Sequence, residues 1–359
     1  MLNKFLPHIV ALLVFYFIGA VFFTPEWRGD RLRQGDIVQL QGMSGELTDF
    51  KEKTGETYYW NNGMFAGMPW NLLVYGRDYN TTGVFAKKPF RLGLPKVSGI
   101  LFFGMVLSYI ALISLGVNTW LSILGAFAIA YNSNNIVLLE AGHNTKVAVL
   151  VVLPLIFSGI LMAHKKEYIR GAILFALGCS LAIYWNHVQM LYYFVLLMLV
   201  FHLVYVPVKL LSNKESITTF FKPFLFLIFG AILALGAGSA QLYSSQSFGE
   251  ATMRGEPILA QDNTQPTTSS NTDGLEWNYA NQWSNGWGDV AATLVPRFVG
   301  GASGEIISPD SDLGNILRGT TVQPNSEGFY QAGLYHGPLP FTSGPNYYGA
   351  VVIFLFIFA

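Results

Sequence analysis

The sequence predicts an all-α polytopic membrane protein, a transmembrane helix bundle with two long extracytoplasmic loops. Three observations predict it. Of 359 residues, 52% are apolar and 12% charged, against roughly a quarter charged in an ordinary soluble domain, and the mean hydropathy is +0.40. The apolar residues gather in runs of crossing length. Between the runs lie either short basic turns or long polar stretches. The formal net charge is zero, which gives no reason to expect a nucleic-acid partner, so the informative quantity is where the basic residues fall. The single cysteine, Cys179, sits inside an apolar run. It excludes an internal disulfide and a cysteine metal cluster.

The first run, Phe5 to Phe23, follows Met1-Leu2-Asn3-Lys4. It is too long for a signal-peptide core, and Pro25-Glu26-Trp27 offers no small-residue cleavage site, so it reads as a retained anchor. Further spans read at Val97 to Gly116, Thr119 to Ile136, Val147 to Ala163, Ile169 to Trp185, Leu191 to Val206 and Phe221 to Tyr243. An eighth begins at Tyr347 and has thirteen residues before Ala359, short of the roughly 20 a crossing needs. The expectation is a truncated protein. It is organised as a bundle over 1–241 that includes the loop 24–96, a second loop over 242–345, and the start of an eighth span over 346–359.

Orientation follows from the short turns. His164-Lys165-Lys166-Glu167-Tyr168-Ile169-Arg170 and the segment Lys209 to Lys214 carry the compact basic clusters, and the positive-inside rule puts both in the cytoplasm. Counting crossings, the amino terminus is also cytoplasmic. The loop 24–96, the turn Asn132 to Lys146, the turn Asn186 to Met190 and the loop 242–345 then share the outer face of a cytoplasmic (inner) membrane.

In the first loop, Arg33-Gln34-Gly35-Asp36 opens a run in which apolar residues recur from Ile37 at Leu40, Met43, Leu47 and Phe50, with Glu46, Asp49, Lys51 and Glu52 interspersed or following. That spacing predicts a helix lying on the membrane surface. Asp36 falls at or beside its N-cap, about a dozen positions beyond the first span. Capping explains an aspartate there; so does chemistry at the interface, and one residue can do both. Next comes Tyr58-Tyr59-Trp60-Asn61-Asn62-Gly63-Met64-Phe65-Ala66-Gly67-Met68-Pro69-Trp70. Its rings suit either a sugar face or an interfacial aromatic belt.

After the third span, Glu140, His143 and Lys146 recur at three-residue spacing, which on a helix sets them along one face. Polar groups between two spans are costly near hydrocarbon and are commonly retained for a task. Lys146 with His143 suits a phosphate or pyrophosphate headgroup, the alternative being a polar surface turn with Lys146 snorkelling. Trp185-Asn186-His187-Val188-Gln189-Met190 repeats the arrangement between the fifth and sixth spans. Its side chains need partners if buried, and a polar ligand or the neighbouring loops can supply them. A lone histidine here is equally a structural one.

The second long loop opens on Gln241 and then Gly249-Glu250-Ala251-Thr252-Met253-Arg254-Gly255. A guanidinium such as Arg254 matches phosphate oxygens through paired donors. Further on, Glu276-Trp277-Asn278-Tyr279-Ala280-Asn281-Gln282-Trp283 and Trp287 make a region dense in indoles, and six of the eight tryptophans lie in the two outer loops. That bias favours carbohydrate. The chain has no Gly-rich phosphate loop, dinucleotide fingerprint, HExxH or G-x-S-x-G motif. An outward-facing enzyme has no access to cytoplasmic nucleotide-sugars, so a sugar donor on that side would be lipid-borne.

Taken together, Gly35-Asp36-Ile37-Val38-Gln39, Met64-Phe65-Ala66-Gly67-Met68-Pro69, Gly142-His143-Asn144-Thr145-Lys146, Asn186-His187-Val188-Gln189, Met253-Arg254-Gly255, the Trp277 to Trp287 cluster and Pro340-Phe341-Thr342-Ser343-Gly344-Pro345 resemble the YfhO-like family of bacterial membrane proteins. That family belongs to the GT-C superfamily of polyprenyl-phosphate-sugar-dependent glycosyltransferases. The resemblance implies a GT-C-like bundle, an essential carboxylate in the first outer loop, and transfer of a sugar from a polyprenyl-phosphate carrier to an extracytoplasmic glycan or protein. The carboxylate carried over is Asp36, accepting the proton of the acceptor hydroxyl or orienting it in an inverting displacement. Arg254, Lys146 and His143 would meet the donor phosphate. Gln39, Glu140, Asn186, His187, Gln189, Glu250, Trp277 and Tyr279 are the candidate substrate-binding side chains. The fold leaves room for a divalent cation (Mg or Mn) between carboxylate and phosphate, although no ligand cluster in the sequence demands one. The rival reading is a transporter or lipid flippase, which predicts ionisable residues near mid-span and paired Gly/Pro breaks in related halves. A third is an assembly scaffold without chemistry, its indole-rich loops serving as partner surfaces.

Overall fold

The computed structural model describes residues 2–56, 59–64, 67–70, 80–86, 91–213, 217–249 and 277–358, which are predominantly helical with two short antiparallel ribbons. Among them, six helical segments are long and apolar enough to cross a membrane: Phe5–Phe22, Lys96–Ser114, Thr119–Ala141, Asn144–His164, Val188–Lys209 and Phe220–Ala237. A further apolar helix, Tyr168–Tyr184, has 17 residues. The chain is a helical membrane protein. It divides into two compact units, one of residues 1–131 and 142–247, the other of 132–141 and 248–359.

In the first unit, Lys96–Ser114 and Asn144–His164 are mostly buried within the protein, whereas few residues of Val188–Lys209 are buried and much of its apolar surface faces outward. An apolar surface of that extent on a helix is stable against hydrocarbon, not water. The first helix, Leu2–Phe22, packs on Lys96–Ser114 through a cluster of Ala11, Phe15, Phe102, Met105 and Tyr109. Phe15 meets the Tyr109 ring edge-on, and His8 Nδ1 lies 2.6 Å from the Tyr109 hydroxyl. Leu153–His164 runs along Tyr168–Tyr184, which in turn packs on Ile217–Ala237. Small residues set the first of these contacts. A Cβ on Gly159 would stand 2.6 Å from the Phe175 nitrogen and 2.7 Å from the Gly171 carbonyl oxygen, and one on Gly171 would stand 2.6 Å from the Ala163 nitrogen. Close backbone approach of this kind is how membrane helices gain packing when lipid is as apolar as their own side chains.

Several spans differ from the apolar runs that announce them. The run Thr119 to Ile136 is two helices, Thr119–Ala130 and Ser133–Ala141, because the Asn132 side chain accepts from the Asn135 amide at 3.0 Å and starts a new N-terminus. The fourth span begins earlier than its apolar stretch, at Asn144, and breaks at Val151 and Val152 into Asn144–Leu150 and Leu153–His164. Pro154 explains the break: it has no N–H to give Leu150, and its ring crowds that carbonyl. The run Phe221 to Tyr243 is likewise divided at Gly238, between Ile217–Ala237 and Ser239–Gly249. In the first loop, the single amphipathic helix expected from Ile37 to Phe50 is a pair, Gly35–Met43 and Gly45–Thr54, meeting at Ser44.

The second unit contains the helix Ser133–Ala141, a ribbon pairing Glu305–Ile307 with Tyr330–Ala332, and several short helices. Polar side chains organise it. Asp289, in the helix Trp287–Ala292, accepts from the Gly286 amide at 2.9 Å and from the Tyr335 hydroxyl at 2.8 Å, and the Leu339 amide donates to that hydroxyl at 3.2 Å. Glu305 takes two bonds from Arg297, at 2.5 and 2.6 Å, and one from the Ala302 amide at 3.1 Å. Burial alone would raise the Glu305 carboxyl; Arg297 and the Ala302 amide outweigh it and hold the group below its ordinary range. Ser133 and Tyr347 bond reciprocally through the Ser133 hydroxyl, which joins the helix Ser133–Ala141 to the approach of the helix Ala350–Phe358.

The glycine contact yields a direct expectation. Gly159→Leu drives a side chain into the backbone of Tyr168–Tyr184 and should destabilise the protein by at least the roughly 1–3 kcal/mol typical of overpacking. Thermal unfolding of the detergent-solubilised full chain measures it, and an unchanged Tm would mean that Gly159 and Gly171 do not face each other.

Candidate active site

The site assembles at the junction of two short segments of the first unit that are far apart in sequence. Gln34 is the N-cap of the helix Gly35–Met43, and Asn144 opens the helix Asn144–Leu150. Their side-chain amides pair in both directions: Gln34 Nε2 donates to Asn144 Oδ1 at 2.8 Å, and Asn144 Nδ2 donates to Gln34 Oε1 at 3.0 Å. Both residues are buried, at 4% and 3% relative exposure. A reciprocal amide pair fixes two chain segments at one distance and one register, because each amide then has its donor and acceptor answered out of water.

Immediately beside this clasp the backbone comes closer still. Gly142 has φ +104°, a conformation other residues adopt only under strain. A Cβ there would lie 2.9 Å from Asp36 Cβ and 3.2 and 3.3 Å from the Asp36 and Ile37 nitrogens. Glycine is therefore needed twice, for the turn and for the contact. The same turn ends the regularity that would have put Glu140, His143 and Lys146 along one helix face. Glu140 closes Ser133–Ala141 in the second unit, whereas His143 is the N-cap of Asn144–Leu150 and Lys146 lies within that helix.

Held in this way, Asp36 and His143 meet: Asp36 Oδ2 lies 3.0 Å from His143 Nδ1, with the two side chains 53% and 44% exposed. The N-cap expectation for Asp36 is corrected. The N-cap is Gln34, no side chain caps that helix, and Asp36 stands in its first turn with its carboxylate turned to a residue of another segment. Burial lowers the His143 pKa; the Asp36 carboxylate opposes this and Lys146 adds to it, leaving the net direction downward. His187, at the turn before Val188–Asn213, is lowered by burial and then by the charges of Lys146 and His143. Three basic side chains from two inter-span segments thus share one neighbourhood. Lys146 is partly buried and, among the described residues, has no carboxylate within ion-pairing range. An uncompensated cation at the end of a membrane span is a standing invitation to an anion.

The loop behind Asp36 is strapped to it. Asn61 is fully buried, donates to the Met43 carbonyl at 3.0 Å and accepts from the Gly63 amide at 2.9 Å, so the ribbon Trp60–Asn61 with Met68–Pro69 is tied to the end of Gly35–Met43. The remaining candidates are placed as follows. Gln39 is exposed on Gly35–Met43. Asn186 takes φ +55° in the turn before His187, a conformation asparagine tolerates better than most residues, which accounts for it structurally. Gln189 donates to the Tyr193 hydroxyl at 2.7 Å on an exposed surface. Trp277 and Tyr279 lie in the second unit, both exposed. Arg254 and Glu250 lie outside the described residues.

No protein-family model, curated protein or solved structure matches the chain. What the site can do therefore rests on its own chemistry. Among the described residues no group of three His, Cys, Asp or Glu side chains could hold a metal ion, and Asp36 with His143 alone is a sparse donor set for the Mg or Mn the sequence left room for. Gln34 and Asn61 were not among the candidate site residues, and Gly142 and Asn144 entered only as parts of a motif. The one signal was adjacency: Gln34 is two residues from Asp36, and Gly142 and Asn144 flank His143.

The clasp is open to test. Gln34→Ala leaves the Asn144 amide buried without its partner, which should cost about 1–3 kcal/mol and appear as a lower Tm of the full chain. Stability equal to wild type would show that the clasp does not hold the two segments.

Proposed function

We propose that the chain is an integral membrane glycosyltransferase that moves a sugar from a polyprenyl-phosphate carrier to a glycan or protein acceptor. The observation that carries this reading is the juxtaposition at one span end of a carboxylate–imidazole pair with a half-buried lysine that has no carboxylate partner among the described residues. Transfer from a lipid phosphate needs these two things together. A proton acceptor serves the attacking hydroxyl, and fixed positive charge meets the phosphate as it leaves. Lys146 supplies the charge, one helical turn inside the span, where a lipid-linked phosphate and a water-borne acceptor can both reach. The phosphate needs no acid to leave. Asn186, His187, Gln189 and Trp60 are the candidates to contact the sugar.

The YfhO-like resemblance of the sequence motifs and the GT-C assignment belong to this proposal. So does orientation: the basic residues Lys165, Lys166, Arg170 and Lys209 favour the cytoplasm, and that puts Asp36 and His143 on the extracytoplasmic side of the inner membrane. Arg254 remains the second candidate for the phosphate.

Sugar transfer from a synthetic polyprenyl-phosphate donor by the full chain tests the reading. Asp36→Asn should lower turnover by on the order of 10²–10⁴. Lys146→Ala should raise the donor KM by on the order of ten- to a hundredfold, the worth of a hydrogen bond to a charged group. Full turnover with Asp36→Asn, or an unchanged KM with Lys146→Ala, would contradict it.

A further inference from the structure

We propose that His143, through its Nε2 atom, is the general base of the transfer, and that Asp36 is the residue that positions and polarises it. This rests on the glycosyl-transfer reading and assigns within it the atom that receives the proton.

Geometry comes first. Asp36 Oδ2 lies 3.0 Å from Nδ1 of His143. A carboxylate is acceptor-only, so the neutral ring carries its proton on Nδ1 and its lone pair on Nε2. Among the described residues Nε2 has no protein partner within hydrogen-bonding distance, and 44% of the side chain faces open space. The ring is also held from behind. His143 is the N-cap between a left-handed glycine and a buried, clasped asparagine, so the backbone carrying it is fixed on both sides. A base must sit in one place to be efficient.

Charge points the same way. The charged and titratable groups that bear on the ring are Asp36, Lys146 and His187. Burial and Lys146 keep the imidazole neutral near pH 7, where its lone pair is available. An imidazole titrates close to that pH, which suits it to take a proton and give it up again. Asp36 contributes more as a fixed anion that holds the productive tautomer and stabilises the imidazolium once formed.

The step balances. A lone pair of the acceptor oxygen forms the new bond to the anomeric carbon, and the bond from that carbon to the phosphate oxygen breaks with its electron pair. The polyprenyl phosphate leaves with a second negative charge beside Lys146. The hydroxyl proton passes to Nε2, and the resulting imidazolium, paired with Asp36, returns it to water.

The test joins a spectroscopic and a kinetic measurement on the full chain. In ¹⁵N-histidine-labelled protein above pH 7, the His143 signal, assigned by its loss in His143→Gln, should show a protonated Nδ1 and a bare Nε2. The opposite tautomer would overturn the proposal whether or not any variant is active. In the transfer assay, His143→Gln should lower kcat by on the order of 10²–10⁴ with donor KM changed only a few-fold, and added imidazole should restore part of the His143→Gly activity. Wild-type kcat should fall as pH drops through the His143 pKa, which lies below the ordinary imidazole value. Asp36→Asn should move that acid limb lower, because the carboxylate holds the ring's pKa up. If His143→Gln keeps wild-type kcat while Asp36→Asn is inactive, the proton goes to Asp36 and the proposal fails alone. If the wild-type chain transfers no sugar, the transfer reading fails and takes the proposal with it.

Discussion

The buried amide pair between Gln34 and Asn144 is the constraint on which the site depends. Two segments 110 residues apart in sequence are joined by reciprocal hydrogen bonds of 2.8 and 3.0 Å, and Asp36, His143 and Lys146 all sit within two residues of that joint. Asp36 follows Gln34 by two positions, His143 precedes Asn144 by one, and Lys146 follows it by two. Gly142 completes the arrangement by letting the Asp36 backbone approach a turn that any side chain would hold off. Polar pairing is used here where it specifies most, since an unanswered amide buried in the protein has no water to fall back on.

The two ends of the span Asn144–His164 treat histidine differently. At one end His143 is half-exposed, paired with a carboxylate and near a lysine and a second histidine. At the other, His164 is buried among Tyr205 and Phe224, its Nε2 is 3.1 Å from that of His202, and Lys209 donates to its carbonyl at 2.9 Å. That second cluster closes on itself, which suits a packing role. Among the described residues the first leaves two groups open, Nε2 of His143 and the Lys146 ammonium, one able to take a proton and the other to meet an anion. The asymmetry separates a structural histidine from a candidate catalytic one.

Much of the bundle was legible in the sequence because an apolar run of crossing length has few other stable fates. Phe5–Phe22 and Lys96–Ser114 fall close to where hydropathy places them. Interruptions were harder to see. Asn132 and Pro154 are ordinary local breakers, yet each lies beside or inside an apolar stretch whose overall hydropathy hides it. The site was legible only in its parts. Asp36, His143 and Lys146 stand out as ionisable residues beside spans, but their partners do not. An N-cap is a local event and could be expected from Asp36 alone; the contact with His143 is long-range and leaves no periodicity behind. The three-residue spacing of Glu140, His143 and Lys146 suggested one helix face, and a single left-handed glycine between them removes it.

The central claim is that this span end receives the phosphate of a lipid carrier, and equilibrium binding measures that most directly. Affinity of the purified full chain for a polyprenyl phosphate should be compared with that for the uncharged polyprenol of the same length, in the same detergent. Much tighter binding of the phosphate, weakening as salt is raised, is the result expected. Equal affinity for the two lipids would contradict it, because the chain would then be reading the hydrocarbon alone.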